Sequence, residues 1–280
     1  MGLIGWFPFI RKKGYNPNPL HNSVLPSLTT GTRHFDILAN CFLVIRTAYT
    51  NLPQEAAHRM LEKEIERFGT KDNLRLYIDG PQAIEKQNTA EMRETTREKA
   101  LERVAVSLNT FESRLNENKR IRKRHHTDIK AGLASSFYWS HTSRTLFTEY
   151  MTTRGWTVQI CTTEADLSIA QSIQANDVVI SKDSDMLAYG SVVTLWRPVS
   201  NNVILEYKVP DLLRTLSFTR AQLTALAVVS RNDYHRNIYS LGPVSNFGII
   251  KKIGHSEGNL GIHLYDWMHT RGDPSIAIEQ

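Results

Sequence analysis

The stretch TEADLSIAQSIQANDVVISKDSDMLAYG, residues 163–190, places four carboxylates around a short apolar core. Within it, the β-branched run from Asp177 to Ser181 (DVVIS) has turn-forming residues on both sides, which predicts a buried parallel strand. Asp183 and Asp185 follow this run directly. Open α/β sheets bind ligands at the carboxyl ends of their strands. The stretch therefore predicts an α/β sheet with an acidic site at a strand end.

Two more acids, Glu164 and Asp166, open a segment whose apolar residues recur with a helical period. Both acids are expected in the first turn of a helix, where the helix dipole favours negative charge. Four carboxylates that converge on one small volume raise one another's pKa unless cations lie between them. The alternative is one capping acid and three solvated ones. Two acid pairs that flank a single strand-like run favour a clustered site.

Two further strand-like runs also lead to an acid. The run FDILANCFLVIRTAY, which starts at Phe35, predicts a buried strand that continues into a helix, and Asp36 is its only acid. The run LRLYIDG, residues 74–80, predicts a strand that ends on Asp79. An acid in apolar surroundings needs a partner or a metal ion. Acids are thus expected at the ends of three strands.

The composition limits the possible classes of protein. The chain has 280 residues, of which 41% are hydrophobic, enough for one large α/β domain or a core with a smaller module. Its formal net charge of +6 and pI of about 9.3 suit a polyanionic partner. Cys41 and Cys161 are too few for a disulfide framework, which favours an intracellular protein, nuclear if the source is eukaryotic. No apolar run is long enough for a membrane span.

The remaining segments predict further elements of the core. The first ten residues are apolar and are expected to pack into the domain, and residues 15–31 form a Pro/Asn-rich loop. Residues 53–68 predict a helix that carries Glu55 with Arg59, and Glu62 with Glu66, on one exposed face. The runs SVVTLWR and NNVILEYKV, on either side of residues 200–202, predict an antiparallel hairpin at the sheet edge.

Residues 81–130 are highly charged and contain no strand pattern, so we expect helices outside the core, or a solvated coiled-coil-like hairpin as the alternative. This segment contains a basic run suited to phosphates. A nuclear-import signal or a solvated face would have the same composition. The cations of the run are Lys119, Arg120, Arg122, Lys123 and Arg124.

Taken in order, these motifs resemble the flap endonuclease/XPG superfamily of structure-specific 5′ nucleases over about residues 1–253. MGLIGWFPFI, with Gly2, is similar to the glycine-containing amino terminus of that family, and FDILANCF and LYIDG to its first two acidic strands. TEADLSIA and ISKDSDMLAYG are similar to its internal acidic motif, and VVSRNDYHRNIYSLGPVSNFGIIKKI to its last acid and helix-two-turn-helix. Each motif alone is weak evidence, but six motifs in the family's order are specific.

The resemblance implies roles for individual residues. Two Mg²⁺ ions, with Mn²⁺ as a substitute, would be held by seven carboxylates, and Lys86 and Arg93, seven residues apart on one helix face, would hold the scissile phosphate. Phe42 falls at the position of an aromatic that stacks on a base; the alternative is a core residue. Gly242, Lys251 and Lys252 fall in the duplex-binding module. The seven carboxylates are those of Asp36, Asp79, Glu164, Asp166, Asp183, Asp185 and Asp233.

The chain departs from the family at three places. Asp166 stands where the family usually has Glu, and its shorter side chain favours a metal contact through water. The turn at residues 240–244 reads SLGPV, where the family tends to have glycine first and lysine last, so its grip on phosphate is weaker. Residues 255–280 contain no Gln-containing aromatic clamp-binding motif, so a sliding-clamp partner is not supported.

The implied fold is α/β, a mostly parallel central sheet with helices on both faces (a PIN-like, 5′-nuclease core), a helical arch insertion and a C-terminal helix-two-turn-helix. The expected divisions are residues 1–80 and 136–217 for the nuclease core, 81–135 for the arch, 218–255 for the DNA-binding module and 256–280 for a tail.

The implied function is hydrolysis of phosphodiesters in branched or 5′-ended DNA, of the flap endonuclease or 5′ exonuclease type, with a role in DNA repair. The alternatives are an RNA-directed nuclease of the same fold and a catalytically weak nucleic-acid-binding relative. Backbone contacts alone do not distinguish DNA from RNA. A PIN-like RNA nuclease would share the core but does not explain the glycine-proline turn after Asp233.

Overall fold

The computed structural model describes residues 5–28, 31–81, 87–200, 202–230 and 243–253. Its strands form one sheet of seven members in the order β1-β7-β6-β5-β2-β3-β4. The strands are β1 (Asn18–His21), β2 (Arg33–Asp36), β3 (Leu74–Ile78), β4 (Thr157–Ile160), β5 (Val178–Ile180), β6 (Thr194–Pro198) and β7 (Val203–Lys208). The pairings β6–β5, β5–β2, β2–β3 and β3–β4 are parallel, and β1–β7 and β7–β6 are antiparallel. The predicted mostly parallel α/β sheet is confirmed.

Ten α-helices lie within the described ranges. They are α1 (Trp6–Lys12), α2 (Ile37–Asn51), α3 (Gln54–Ile65), α4 (Gln87–Asn116), α5 (Lys123–Ser136), α6 (His141–Thr153), α7 (Ala165–Ser172), α8 (Val209–Leu216), α9 (Arg220–Val229) and α10 (Pro243–Ile253). Short 3-10 helices lie at Asn22–Ser27 and Asp185–Ala188. Within the described ranges, no helix is both long enough and apolar enough to cross a membrane.

The strand order contains a topological switch point. From β2 the chain adds β3 and then β4 on one side, whereas β5 pairs with the other side of β2. The strands β5, β2 and β3 are therefore adjacent and parallel, and their carboxyl ends lie at the same edge of the sheet. Ligands of open α/β sheets bind in the crevice at such a point.

The chain divides into two compact units, and the first contains the whole sheet. It comprises Met1–Asn40, Arg67–Pro81 and Trp156–Gln280. Its core includes Trp6 and Phe9 of α1, which are buried as the apolar amino terminus predicts, together with side chains of α7, α8, α9 and α10. β5 is buried along its whole length, as expected for a central parallel strand rich in β-branched residues.

The second unit comprises Cys41–Glu66 and Gln82–Gly155 and is helical in its described part. Its core is aromatic: Trp139 and Phe147 are buried with ring centroids 5.8 Å apart, and Tyr49 lies 6.0 Å from Trp139. The long helix α4 packs along α5, where a Cβ added to Gly132 would lie 2.4 Å from Val104 Cγ2. This helical hairpin occupies the segment that the charge pattern assigned to helices outside the core.

Three predictions about local structure are wrong. The predicted loop at residues 15–31 contains β1, which pairs with β7, so the hairpin of β6 and β7 does not form the sheet edge. Pro19 lies in β1, and an edge strand tolerates proline because one of its sides needs no N–H donors. Glu62 is buried, not exposed, because Tyr150 and Arg154 donate to its carboxylate.

Candidate active site

The sheet topology brings acids from three strands to one edge. Asp36 is the last residue of β2, Asp79 directly follows β3, and Asp183 follows β5 after two residues. Since β5, β2 and β3 are adjacent and parallel, these side chains lie at neighbouring strand ends. Four elements in all supply acids to this region, because α7 begins with Glu164 as its N-cap and has Asp166 in its first turn.

The surroundings of Asp36 show most directly that the acids lie near one another. Its side chain is buried, and burial is the main cause that raises its pKa well above the ordinary value for an aspartate, followed by the charge of Asp79. The charges of Asp183 and Asp166 raise the pKa further, against the opposing hydrogen bond from the Ala39 N–H. Like charges have this effect on one another when no cation separates them. The carboxylates therefore lie close enough to act on one another.

Two polar side chains that the sequence did not point to hold the ends of β2 and β5 together. The buried Ser181 hydroxyl donates to Asp36 Oδ2 at 3.3 Å and accepts the N–H of Asp183 at 3.0 Å. Asn40 Nδ2 donates to the carbonyls of Asp36 and Ile180, both at 2.7 Å. These bonds fix the spacing between the first acid and the D-x-D pair at the switch point. In the sequence, the only sign of this role is that Ser181 lies between the predicted strand and Asp183.

Asp79 links the second strand to α7. Its Oδ1 accepts the N–H of Ala165 at 2.7 Å, so it satisfies a donor in the first turn of the helix that carries Asp166. The next residue must be glycine, because a Cβ on Gly80 would lie 1.8 Å from the Cys161 carbonyl oxygen. Gly80 also donates its N–H to the Thr163 carbonyl at 2.6 Å. The glycine of LYIDG therefore permits close approach of the two chains.

Asp166 and Asp183 accept hydrogen bonds from nearby groups. Asp166 Oδ2 accepts the Tyr189 hydroxyl at 3.0 Å, while its Oδ1 accepts the N–H of Leu167 at 2.8 Å. Asp183 Oδ1 accepts the N–H of Asp185 at 3.0 Å, at the start of the 3-10 helix. Tyr189 follows this helix, so the D-x-D pair and the partner of Asp166 are parts of the same short turn.

The donor chemistry of this cluster fits a hard divalent cation such as Mg²⁺, since carboxylate oxygens are its preferred ligands. The charges of Asp79, Asp183 and Asp166 add to the effect of burial in raising the pKa of Asp36. Within the described ranges, no group of three or more His, Cys, Asp or Glu side chains is arranged so that it could hold a metal ion as it stands. The oxygens of Asp36, Asp79 and Asp166 are instead turned to donors of the chain. A bound cation would compete with these hydrogen bonds and relieve the repulsion.

Comparisons with known proteins show what this region of the chain is similar to. Residues 156–233 match the XPG I-region, a segment that contains α7, β5 and the D-x-D pair. The catalytic core of Rad2 in complex with DNA substrate has the same fold, with a TM-score of 0.62, 18% identity, and coverage of 98% of this chain and 75% of that one. The XPG I-region match and the shared fold support the resemblance of the motifs to the flap endonuclease/XPG superfamily.

Two other solved structures are similar to this chain. A second structure of the Rad2 catalytic core gives a TM-score of 0.57 at 16% identity, covering 96% of this chain and 72% of that one. Flap endonuclease-1 from Methanococcus jannaschii gives a TM-score of 0.54 at 14% identity, covering 92% of this chain and 80% of that one. A comparison with curated proteins finds no match. At these identities the structural likeness shows the fold alone.

The other positions carried over from the superfamily lie in both units. Arg93 lies in the second turn of α4, and the basic run spans the α4–α5 connection and the start of α5. Lys251 and Lys252 lie in the last turn of α10. Phe42 is 42% exposed, so the alternative that it fills the core is wrong. The predictions for Gly2, Lys86, Asp233 and Gly242 fall outside the described residues.

The basic run forms a concave surface with a residue that the sequence analysis did not select. Arg114, near the end of α4, donates from Nη2 to the Arg120 carbonyl at 3.1 Å, which closes the connection. Arg114, Arg120, Arg122 and Lys123 line this surface. Lys119 pairs with Glu117 and Arg124 with Asp128, whereas no ion pair among the described residues involves Arg120, Arg122 or Lys123.

His34 lies at the centre of a buried network of polar side chains that the sequence analysis did not select. His34 lies two residues before Asp36, and its ring nitrogens lie 2.8 Å from the Tyr77 hydroxyl and 3.1 Å from Asp177 Oδ2. Asp177 accepts two more bonds, from the N–H groups of Thr32 and Gln174. Burial lowers the pKa of His34, and Asp177 opposes this. These hydrogen bonds join β2, β3 and the residue that precedes β5.

Proposed function

We propose that the protein is a Mg²⁺-dependent structure-specific 5′ nuclease that hydrolyses phosphodiesters of branched or 5′-ended DNA. The observation that supports this most is the position of Asp36, where burial and the charges of Asp79, Asp183 and Asp166 together raise the pKa. Retaining several repelling carboxylates at a strand-end crevice opposes stability unless cations bind there. Two divalent ions, when bound, supply an activated water and stabilise the leaving oxygen.

In this proposal, different groups of residues have different roles. Asp36, Asp79, Asp183 and Asp185 would hold the ions, together with Glu164, Asp166 and Asp233. Ser181 keeps the Asp36 and Asp183 segments in register through its two hydrogen bonds. Arg93 together with Lys86 stabilises negative charge on the scissile phosphate, and such a contribution matters most when it is greater in the transition state than in the ground state.

Cations far from the acids along the chain are proposed to bind the DNA backbone. The concave surface of Arg114, Arg120, Arg122 and Lys123 and the neighbouring Lys119 and Arg124 present positive charge suited to phosphate. Lys251 and Lys252, exposed at the end of α10, are proposed to contact a duplex, with Gly2, Phe42 and Gly242 as further contacts. The Rad2 core with the same fold is in complex with a DNA substrate.

The test is cleavage of end-labelled 5′-flap, nicked, single-stranded and four-way-junction substrates, as DNA and as RNA, with Mg²⁺ and with a chelator. The wild-type protein is compared with Asp183→Asn, which keeps the side-chain shape and removes one charge. Asp72→Asn is the matched control, since Asp72 is an exposed acid in the turn before β3. We expect Mg²⁺-dependent cleavage of 5′-ended DNA that Asp183→Asn lowers by several orders of magnitude and Asp72→Asn leaves unchanged.

Each other outcome selects a different function. Preference for RNA would replace the DNA nuclease by an RNA-directed one. Tight binding without cleavage by the wild-type protein would identify a catalytically weak relative. Cleavage by Asp183→Asn at the wild-type rate, in preparations free of contaminating nuclease, would refute the acidic edge as the catalytic site. Binding by Asp183→Asn should be intact or tighter, because one repulsion with phosphate is removed.

A further inference from the structure

The Tyr189 loop, residues 187–192, runs from the end of the second 3-10 helix to the turn before β6. The Tyr189 hydroxyl donates to Asp166 Oδ2 at 3.0 Å, so the position of this loop decides whether that carboxylate keeps its donor. The loop is also bonded to α7, the helix that carries Asp166, because Ser191 Oγ donates to the Ala170 carbonyl at 2.5 Å.

Arg220, the first residue of α9, binds three carbonyls of the Tyr189 loop with its guanidinium group. Its Nη1 donates to the Leu187 carbonyl at 3.2 Å, and its Nε and Nη2 donate to the Gly190 carbonyl at 3.2 and 2.9 Å. The Nη2 group also donates to the Val192 carbonyl. A planar guanidinium group offers several donors in a fixed fork and therefore fits several acceptors at once. Arg220 thus holds both ends of the loop.

Thr224 lies one turn after Arg220 on the same face of α9 and binds a fourth carbonyl, since its Oγ1 donates to Ala188 at 2.8 Å. The start of α9 is itself fixed by a capping box. In this box the Gln222 N–H donates to Thr219 Oγ1 at 3.2 Å, and the Thr219 N–H donates to Gln222 Oε1 at 2.8 Å. Four carbonyls of the Tyr189 loop are therefore bonded to one face of an anchored helix.

We propose that Arg220 and Thr224 are positioning residues for the acidic site. They hold the Tyr189 loop so that the Tyr189 hydroxyl stays on Asp166 and keeps its carboxylate oriented for a divalent cation. The proposal rests on the nuclease function proposed above and adds two residues that act on a carboxylate of the site through another loop. Neither residue belongs to the motifs that carry the family resemblance. Removing groups that orient metal-binding side chains lowers metal affinity by about 10- to 100-fold.

The charge of Arg220 would have the opposite effect on metal affinity, so the two explanations can be separated. If this charge acted directly on the acids, its removal would strengthen binding of a cation. Loss of positioning weakens that binding. Arg220→Lys keeps the charge but replaces the fork of donors by one ammonium group, so we expect it to lower the affinity as Arg220→Gln does.

The test measures Mn²⁺ affinity by electron paramagnetic resonance of the free ion, which reports binding without turnover. The variants are Arg220→Gln, Arg220→Lys and Thr224→Val, and the controls remove an exposed arginine and a threonine hydroxyl from α8, as Arg214→Gln and Thr215→Val. We expect both Arg220 variants to weaken Mn²⁺ binding by about 10- to 100-fold. Thr224→Val removes one bond to the loop and should weaken it less, and both controls should bind as wild type does.

A double-mutant cycle shows whether Arg220 acts through Tyr189. Tyr189→Phe removes the hydroxyl that the loop presents, so adding Arg220→Gln to it should cause no further loss of Mn²⁺ affinity. Two independent effects would add instead. Arg214→Gln combined with Tyr189→Phe is the control cycle and should show no coupling.

Wild-type Mn²⁺ affinity in both Arg220 variants would overturn the proposal, as would a higher affinity in Arg220→Gln or additive losses in the cycle. Equal losses in the α8 controls would overturn it as well. Urea unfolding of each variant shows that it is folded, and if Arg220→Gln does not fold, Thr224→Val replaces it in the cycle with the same opposing outcomes. Mn²⁺ binding by wild type no stronger than that of Asp183→Asn would instead overturn the proposed metal site.

Discussion

At the scale of single residues, the contact between Tyr189 and Asp166 concerns a position at which the chain departs from the family that its motifs resemble. Asp166 is one methylene shorter than the usual Glu, and the Tyr189 hydroxyl holds its Oδ2 at 3.0 Å. Burial, followed by the charge of Asp166, raises the pKa of Tyr189, so the hydroxyl stays protonated and remains a donor. Groups that orient metal-binding side chains in this way influence metal affinity as well as stability.

We expect Tyr189→Phe to weaken Mg²⁺ binding by about 10- to 100-fold, because Asp166 loses the donor that orients it. The matched control is Tyr150→Phe, which removes a hydroxyl that donates to the buried Glu62 at 2.9 Å in the helical unit. Isothermal titration with Mg²⁺ measures affinity without turnover, and urea unfolding measures stability. Both variants should unfold more easily, but only Tyr189→Phe should change the Mg²⁺ affinity. Equal affinities in the two variants would contradict an orienting role.

The buried His58 in α3 is expected to make the stability of the folded protein depend on pH. Its ring is buried beside Phe147 and Tyr150, and burial lowers its pKa, against the weaker opposing charge of Glu55. The unfolded chain therefore takes up the proton at a higher pH than the folded chain. The contribution of neutral His58 to stability is fully present above about pH 6.5, the ordinary histidine pKa, and is lost as the pH falls toward the folded-state pKa.

The measurement is urea unfolding between pH 5 and pH 8 for wild type and His58→Phe. As the pH falls below about 6.5, the free energy of unfolding of wild type should decrease relative to that of His58→Phe. The slope of this difference should be at most about 1.4 kcal/mol per pH unit. His34 titrates in the same sense but is present in both proteins. The exposed His141 provides the control variant His141→Gln, which should follow the wild-type profile. Parallel curves for wild type and His58→Phe would contradict the assignment.

At the scale of elements, the α4–α5 hairpin buries few of its side chains. Of its described side chains only Ala100 and Val104 are buried, and α5 buries none. By contrast, α3 in the same unit buries Leu61, Ile65 and three other residues. Elements with little buried apolar surface open at a lower free energy than the rest of a protein. Phosphate contacts along the basic run would offset this.

Hydrogen exchange should therefore be faster in α4 and α5 than in α3, and binding of DNA with an unpaired 5′ arm should slow it. Exchange followed by mass spectrometry resolves these helices, with α3 as the internal control. The variant Arg120→Gln with Arg122→Gln should lose the DNA-induced protection while keeping the exchange rates of the unbound hairpin, since both side chains are exposed. Protection of α4 and α5 equal to that of α3 without DNA would refute the expectation.

At the scale of the whole molecule, the charge distribution predicts a salt-dependent affinity. The chain carries a formal charge of +6 even though it gathers acids at one sheet edge. Each cation that neutralises a DNA phosphate contributes about 0.9 to the slope of log affinity against log salt. Replacing Lys251 and Lys252 by alanine should therefore reduce the slope for duplex DNA by about 1.8.

The control pair is Lys63→Ala with Lys71→Ala, which removes the same charge from exposed positions outside α10. Its slope should equal that of wild type. Affinities over a series of KCl concentrations give both slopes, with a blunt duplex as ligand. An unchanged slope for the Lys251 and Lys252 variant would mean that the duplex is bound elsewhere, and equal reductions in both variants would mean that only net charge matters.

The sequence by itself determined the acidic strands and their order. Phe35–Asp36, LRLYIDG and DVVIS read as strands because strand and helix patterns are local, and acids at their ends pointed to a strand-end site. The helices of the charged segment were predicted for the same reason. These features depend on residues a few positions apart, whose spacing is visible without a fold.

Only the tertiary structure decided which polar groups meet. Ser181 and Asp36 are 145 positions apart, and Tyr150 and Glu62 are 88 apart, so no local period could predict a bonded serine or a buried glutamate. The edge strand β1 became visible only through its pairing with β7. The Tyr138 ring lies near Arg97 and Arg144, which come from two different helices. Burial and hydrogen bonding are set by neighbours in space, and the chain path through the sheet and helices chooses those neighbours.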